Sequence, residues 1–193
     1  MKNFSMPETV SPFLEQEELE RLSQSLEKNV SREAAEALVR RVPLRPGATP
    51  KERAEWVNRL SEELEASFDR ETIIKIRMGC HCNENGRLEE TAEAFRALYQ
   101  SNGQNLERFV SHLNKSGAGW RIKGDALYTK MFTCECPMLE KAEPSPSLTW
   151  CYCTAGYSKA FFEAVFERPV EVELLQTIKQ GHDCCLLKIT GIL

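Results

Sequence analysis

The sequence predicts an α+β fold: N-terminal helices packed on an antiparallel sheet that carries one inserted helix. Three observations lead there. Apolar residues recur every three to four positions through the first half, the period drops to two after Gly117, and a further helical stretch around Ala160 and Phe161 interrupts the alternating part. At 193 residues the chain suits one good-sized core better than two. A single domain over 1–193 is therefore expected, with a mainly helical layer in 1–115 and, in 116–193, the sheet with the metal- and ligand-binding region.

Phe13, Leu19, Leu22 and Leu26 form the first apolar stripe, and Ser31 opens a short Ala-rich helix that stops before Pro43. Arg45-Pro46-Gly47-Ala48 is a connector. Thr49-Pro50-Lys51-Glu52 joins a capping hydroxyl, proline at the first helical position and Glu three residues after the cap, which marks a helix start. Val57, Leu60, Leu64 and Phe68 are its buried face, and Glu62, Glu63 and Glu65 its wet one. Two more helices follow, one through Leu88, Ala92 and Phe95, the other through Leu106, Phe109, Val110 and Leu113, parted by Ser101-Asn102-Gly103.

Trp120 and Ile122 lead into the hairpin signal Gly124-Asp125, after which Ala126 to Cys136 reads as a long strand. Prolines and serines turn the chain over 137–147, and Leu148 to Cys153 reads as the next strand. A helix through Ala160, Phe161, Ala164 and Val165 comes next. Val170, Val172 and Leu174 then alternate with Glu171 and Glu173, Gln180-Gly181-His182-Asp183 turns, and Cys184 to Ile189 closes the sheet.

Hydrophobic residues make up 41% and charged residues 28%, the balance of a globular protein in water. The net charge of -4 recruits no polyanion overall, so no nucleic-acid partner is expected, although such an average leaves a local basic patch open. Met1 to Val10 holds one Lys and no apolar run, and no stretch approaches the ~18 apolar residues of a membrane span. A cytoplasmic protein without membrane contact is expected, with a homodimer left open.

In a reducing compartment the eight cysteines are expected to stay free, ligate metal or react rather than pair as disulfides. Cys134-Glu135-Cys136 and Cys151-Tyr152-Cys153 are the main candidates. Side chains at i and i+2 of a strand share a face, so a hairpin around the proline-rich turn would set Cys134 opposite Cys153 and Cys136 opposite Cys151. Four thiolates there suit one zinc ion, at ~2.3 Å from each sulfur. A dithiol redox pair and four inert buried thiols are the competing readings of the same spacing. Cys80-His81-Cys82 is a third pair, and Cys80, Cys82 and Cys185 form a possible additional thiol site, reactive or completing the metal shell; His112 and His182 read as surface residues. Trp120, Phe132, Trp150 and Phe161 are candidates to line an apolar pocket for a small hydrophobic or aromatic ligand, against the plainer reading that they fill the core.

From Cys151 onward the chain resembles the 4-vinyl reductase domain family, the small-molecule-binding domains of phenol-sensing transcription activators and their archaeal relatives. The resemblance is carried by Cys151, Gly156-Tyr157, the helix through Phe166, the strand from Val170, then Gly181, Cys185 and Gly191. It implies a zinc site of three cysteines and a glutamate beside an apolar pocket. Cys151 and Cys185 match two of those cysteines; the third falls on Thr177 and the glutamate on Leu174, so Cys134, Cys136 and Cys153 are the natural substitutes. The closing Gly-x-x-x-Cys pattern, ending on Cys185, is also similar to a hydrolase family acting on 2-amino-thiazoline-4-carboxylate.

Two functions follow as expectations: a metal-containing small-molecule-binding domain of sensory type, or a cytoplasmic thiol- or zinc-dependent hydrolase of a small C–N bonded substrate. No Ser-His-Asp order, phosphate loop, nucleotide fingerprint or zincin helix is present.

Overall fold

The computed structural model describes residues 13–81, 87–145 and 147–192. Six helices come first: α1 (Leu14–Asn29), α2 (Arg32–Arg41), α3 (Pro50–Ser67), α4 (Arg70–Met78), α5 (Arg87–Ser101) and α6 (Leu106–Asn114). They are followed by β1 (Arg121–Lys123), β2 (Ala126–Met131), α7 (Tyr152–Phe166), β3 (Glu171–Gln176) and β4 (Cys185–Thr190). The strands lie in the order β1-β2-β4-β3 with every neighbouring pair antiparallel, and α7 is inserted between β2 and β3 in the chain. This is the expected α+β architecture.

Local chemistry explains most of the helix starts. Thr49 and Glu52 close a reciprocal capping box at α3, the Thr49 backbone N–H donating to the Glu52 carboxylate at 2.8 Å. Ser31, Asp69 and Asn105 each accept a backbone N–H three residues on, opening α2, α4 and α6. Of these, α4 has the weakest sequence signal, because Thr72, Ile73, Ile74 and Ile76 are β-branched residues that favour strand. Packing overrides that preference: Ile73 and Ile76 are buried between α4 and its neighbours α1 and α7.

Leu22, Leu26, Leu38, Trp56, Leu60 and Leu64 make the centre of the helical layer, with no exposed surface. The Trp56 indole donates to the Val42 carbonyl at 2.8 Å, so its one polar atom is satisfied in the core. A second centre is aromatic. Phe95 on α5 meets Phe109, Trp120 and Phe161 at ring distances of 6.2, 6.1 and 5.2 Å, which ties α5, α6, the approach to β1 and α7 together. On the sheet, Leu127, Leu187, Ile189 and Leu174 face this core.

Two expected strands differ in the structure. The strand from Ala126 ends at Met131 rather than Cys136, because its partner β4 begins at Cys185, directly opposite Met131, and the ladder has nothing further to bond. Residues 132–136 run on without strand structure into a short 3-10 turn at Pro137–Leu139. Leu148 to Cys153 is not a strand either: it makes a turn, with the Cys151 N–H bonded to the Leu148 carbonyl at 2.9 Å, and then enters α7. The Cys134–Cys153 hairpin therefore does not form.

What fixes the entry into α7 is its crossing with α4. A Cβ added at Gly156 would stand 2.0 Å from the Met78 carbonyl oxygen, so only glycine lets the two backbones approach so closely. At an unhindered helix site Gly→Ala gains up to ~1 kcal/mol. Here Gly156→Ala is expected to lose about 1–3 kcal/mol by overpacking, read as a lower urea midpoint at unchanged slope; a higher midpoint would show that the crossing has slack.

Candidate metal centre

Cysteines from four separate segments come together where α4 and α7 cross, next to the end of the β2–β4 ladder. Cys80 follows the α4 C-cap Gly79; it is buried, and its thiol donates to the Ile76 carbonyl at 3.2 Å. Cys134 is exposed beyond the end of β2, and half-buried Cys136 caps the 3-10 turn. Buried Cys151 is the N-cap of α7, and Cys153 lies in that helix's first turn. Cys185 is the first residue of β4, and its sulfur accepts the Ile178 N–H at 3.4 Å. Cys82 falls outside the described residues.

Electrostatics show how these sulfurs are grouped. Burial first, then the charges of Cys153, Cys185, Cys136 and Cys134 in that order, push the Cys151 thiol far above its ordinary value. Cys151 thus lies within electrostatic reach of four other sulfurs. Burial and then Cys153 push Cys136 up to about 12, and burial pushes Cys80 up to about 11 against the opposing pull of Arg77. Cys153 and Cys185 are raised as well, chiefly by burial. Desolvation disfavours a thiolate, so without a cation these thiols are held neutral.

The surroundings, by contrast, are arranged for thiolates. Arg77 is completely buried, 3.4 Å from Glu18, with its guanidinium 4.0 Å from the centre of the Trp150 ring. Its Nε and the Trp150 indole Nε1 are buried without a hydrogen-bond partner of good geometry. Their hydrogen-bonding pull falls on sulfur: Arg77 lowers Cys153, and Trp150 lowers Cys136. A neutral thiol accepts weakly, whereas a metal-bound thiolate accepts well, so N–H groups aimed at sulfur are what an outer shell around a metal–thiolate centre supplies. Ile178 N–H does the same for Cys185. Lys179 is within electrostatic reach of Cys151 and Cys134, with its ammonium bonded to the Glu143 carbonyl at 2.8 Å.

Donor type therefore suits a soft, thiophilic ion. As the side chains stand, no three Cys, His, Asp or Glu among the described residues are close enough together to ligate one ion. Cys184 is also buried but turns to the Gln176 side chain, which donates to its sulfur at 3.6 Å.

The four expected pocket residues do not share a cavity. Trp120 and Phe161 belong to the aromatic core around Phe95. Trp150 packs edge-on against Trp56 at 5.8 Å, under the cysteines, and Phe132 is 54% exposed. Open grooves lie instead on the helical layer to either side of Leu44, one lined by residues such as Glu52, Asn58 and Arg59, the other by Leu19, Glu36 and Val39. Glu18, Arg77 and Trp150, the groups that surround the thiols, carry only a faint sequence signal: Glu18 stands four residues from both Leu14 and Leu22, and Arg77 four from Ile73, so each charge falls on an apolar helix face.

A family described as a family of unknown function (DUF6144) matches residues 16–192, and the chain belongs to it. No curated protein and no solved structure matches.

The raised thiols set a pH dependence. An unfolded cysteine titrates near 9.0 and folded Cys136 at about 12, so neutral Cys136 contributes stability that is complete below pH 9.0 and is lost as pH rises towards about 12. In metal-free protein, Cys136→Ser should remove about 1 kcal/mol of the stability lost between pH ~8 and ~10, measured from urea midpoints. Equal losses in the two proteins would mean that the thiol is not desolvated.

Proposed function

We propose that this member of the DUF6144 family is a zinc-binding protein whose cysteine centre organises the C-terminal half of the fold. The single observation that carries the reading is the gathering of Cys134, Cys136, Cys153 and Cys185 around Cys151, with buried N–H donors facing the sulfurs. Four desolvated thiols, Cys136, Cys151, Cys153 and Cys185, would be an unfavourable way to fill this region if each had to ionise alone. A divalent cation shared among them removes that cost, since the ligand thiols lose their protons on binding.

Cys134, Cys136, Cys151 and Cys153 are the proposed ligands, and Cys185 is the alternative to Cys153. Zinc held by four thiolates would act as a cross-link between the end of β2, the 3-10 turn and the N-terminus of α7. The residues around it have separable tasks. Arg77 and Trp150 orient sulfurs by N–H contact, Glu18 offsets the arginine charge, and Lys179 places a cation within electrostatic reach of Cys151 and Cys134. A small hydrophobic or aromatic ligand, as in the sensory domains that the segment from Cys151 resembles, belongs to the same reading. It rests on that resemblance alone, because the expected pocket residues are spread over separate parts of the fold.

Protein purified under reducing conditions should carry close to one zinc per chain by plasma emission analysis. Cys136→Ser and Cys151→Ser should each release it and lower the melting temperature, since metal-binding free energy is then folding free energy, while Cys184→Ser keeps it. Whichever of Cys153→Ser and Cys185→Ser loses the ion identifies the fourth ligand. Full zinc retention in both Cys136→Ser and Cys151→Ser, or a negligible zinc content with every cysteine titrating as free thiol, would end the proposal.

A further inference from the structure

The sheet has a second face, which the metal centre does not use. Side chains alternate along each strand, and Leu127, Leu187 and Ile189 point into the core, so their neighbours Tyr128, Lys130, Leu186 and Lys188 point away from it. Arg121 and Lys123 on β1 and Glu173 on β3 share this outer face by register. One row crosses the whole sheet: Glu173 opposite Lys188, Lys188 opposite Tyr128, Tyr128 opposite Arg121. None of these side chains is buried.

The charge on this face runs against that of the chain as a whole, which is -4. Its two acids are already engaged, Glu173 with Lys188 at 3.8 Å and Glu171 with Lys159 at 3.4 Å. Arg121, Lys123 and Lys130 have no carboxylate within ion-pair distance among the described residues. Two aromatic rings stand among them. The Arg121 guanidinium lies 5.1 Å from the Tyr128 ring centre and the Lys130 ammonium 6.0 Å from that of Phe132, which follows β2 directly and is 54% exposed. A solvated sheet face ordinarily mixes charges of both signs and keeps large apolar rings covered.

We propose that this outer face binds single-stranded nucleic acid. Arg121, Lys123 and Lys130 would contact phosphates, and Tyr128 and Phe132 would stack bases. Cations alone would suit any acidic partner. The rings decide the class: two aromatic side chains four residues apart on one side of β2 and its extension, each flanked by a cation, match a strand of alternating phosphates and flat bases better than a carboxylate-rich peptide. The low overall charge predicts weak, salt-sensitive binding confined to this face. The proposal is independent of zinc.

The test is fluorescence anisotropy of a labelled oligouridylate of about twelve nucleotides with the full chain, where micromolar affinity is expected at low salt. Three phosphate contacts to single-stranded RNA predict a loss of affinity of roughly 20-fold between about 50 and 200 mM salt. Phe132→Ala should weaken binding about tenfold with little change in that slope. Arg121→Glu with Lys130→Glu should abolish binding, and Lys51→Glu on the distant face of α3 should leave it intact. If the double charge reversal fails to fold by circular dichroism, Lys123→Gln with Phe132→Ala, both at exposed positions, replaces it and should weaken binding more than Phe132→Ala alone. Three outcomes overturn the proposal: no binding at about 100 µM protein in low salt; binding that survives the sheet variants; or oligoglutamate binding as tightly as oligouridylate with Phe132→Ala neutral, which would mark a surface for acidic proteins.

Discussion

The buried guanidinium of Arg77 is the constraint around which the cysteine region is built. A cation with no exposed surface is tolerated only where charge and hydrogen bonds surround it, and Arg77 draws these from two other segments: Glu18 on α1, and Trp150 in the turn before α7, which supplies both its carbonyl and its ring. α1, α4 and the turn into α7 are thereby held in one relative placement. Glu15 and Arg53 repeat the device between α1 and α3 at 3.3 Å. The N-terminal helix thus reaches two other helices through carboxylates that it buries, beyond what its leucine stripe contributes.

From this placement the thiols follow. Gly156 lets α7 close on the end of α4, which brings Cys153 into the electrostatic reach of Cys80 and Arg77. The start of β4 opposite Met131 sets both where β2 stops and where Cys185 stands. Cys134 and Cys136 lie in the chain that leaves the sheet at that point. The proposed zinc would join segments that hydrogen bonding leaves unconnected there, since residues 132–136 have no ladder to rest on.

Helix starts are readable from the sequence at Thr49 and Ser31, where capping is local, and so is the hairpin at Gly124-Asp125, whereas α4, capped as locally by Asp69, is not among the expected helices because its β-branched run favours strand. The choice of Cys134, Cys136, Cys151 and Cys153 as one group rests on the symmetry of their spacing about a turn. The structure brings their neighbourhoods together by another route, a 3-10 turn meeting a helix N-terminus in place of a hairpin. Leu148-Thr149-Trp150-Cys151-Tyr152-Cys153 is rich in residues that favour strands, yet its last residues join a helix whose buried face runs on through Ala155, Phe162 and Phe166 and packs against α4 and α5. Tertiary packing decides such a segment. The Glu18–Arg77 contact spans 59 residues and has no local signature that a single sequence displays. Net charge, likewise, averages away the basic outer face of the sheet, which only strand register makes visible.

Zinc K-edge X-ray absorption on the purified protein tests the central claim most directly. The account predicts a first shell of four sulfurs at ~2.3 Å, losing one sulfur or the metal itself in Cys151→Ser. A shell of oxygen and nitrogen, or one with fewer than three sulfurs, would contradict it.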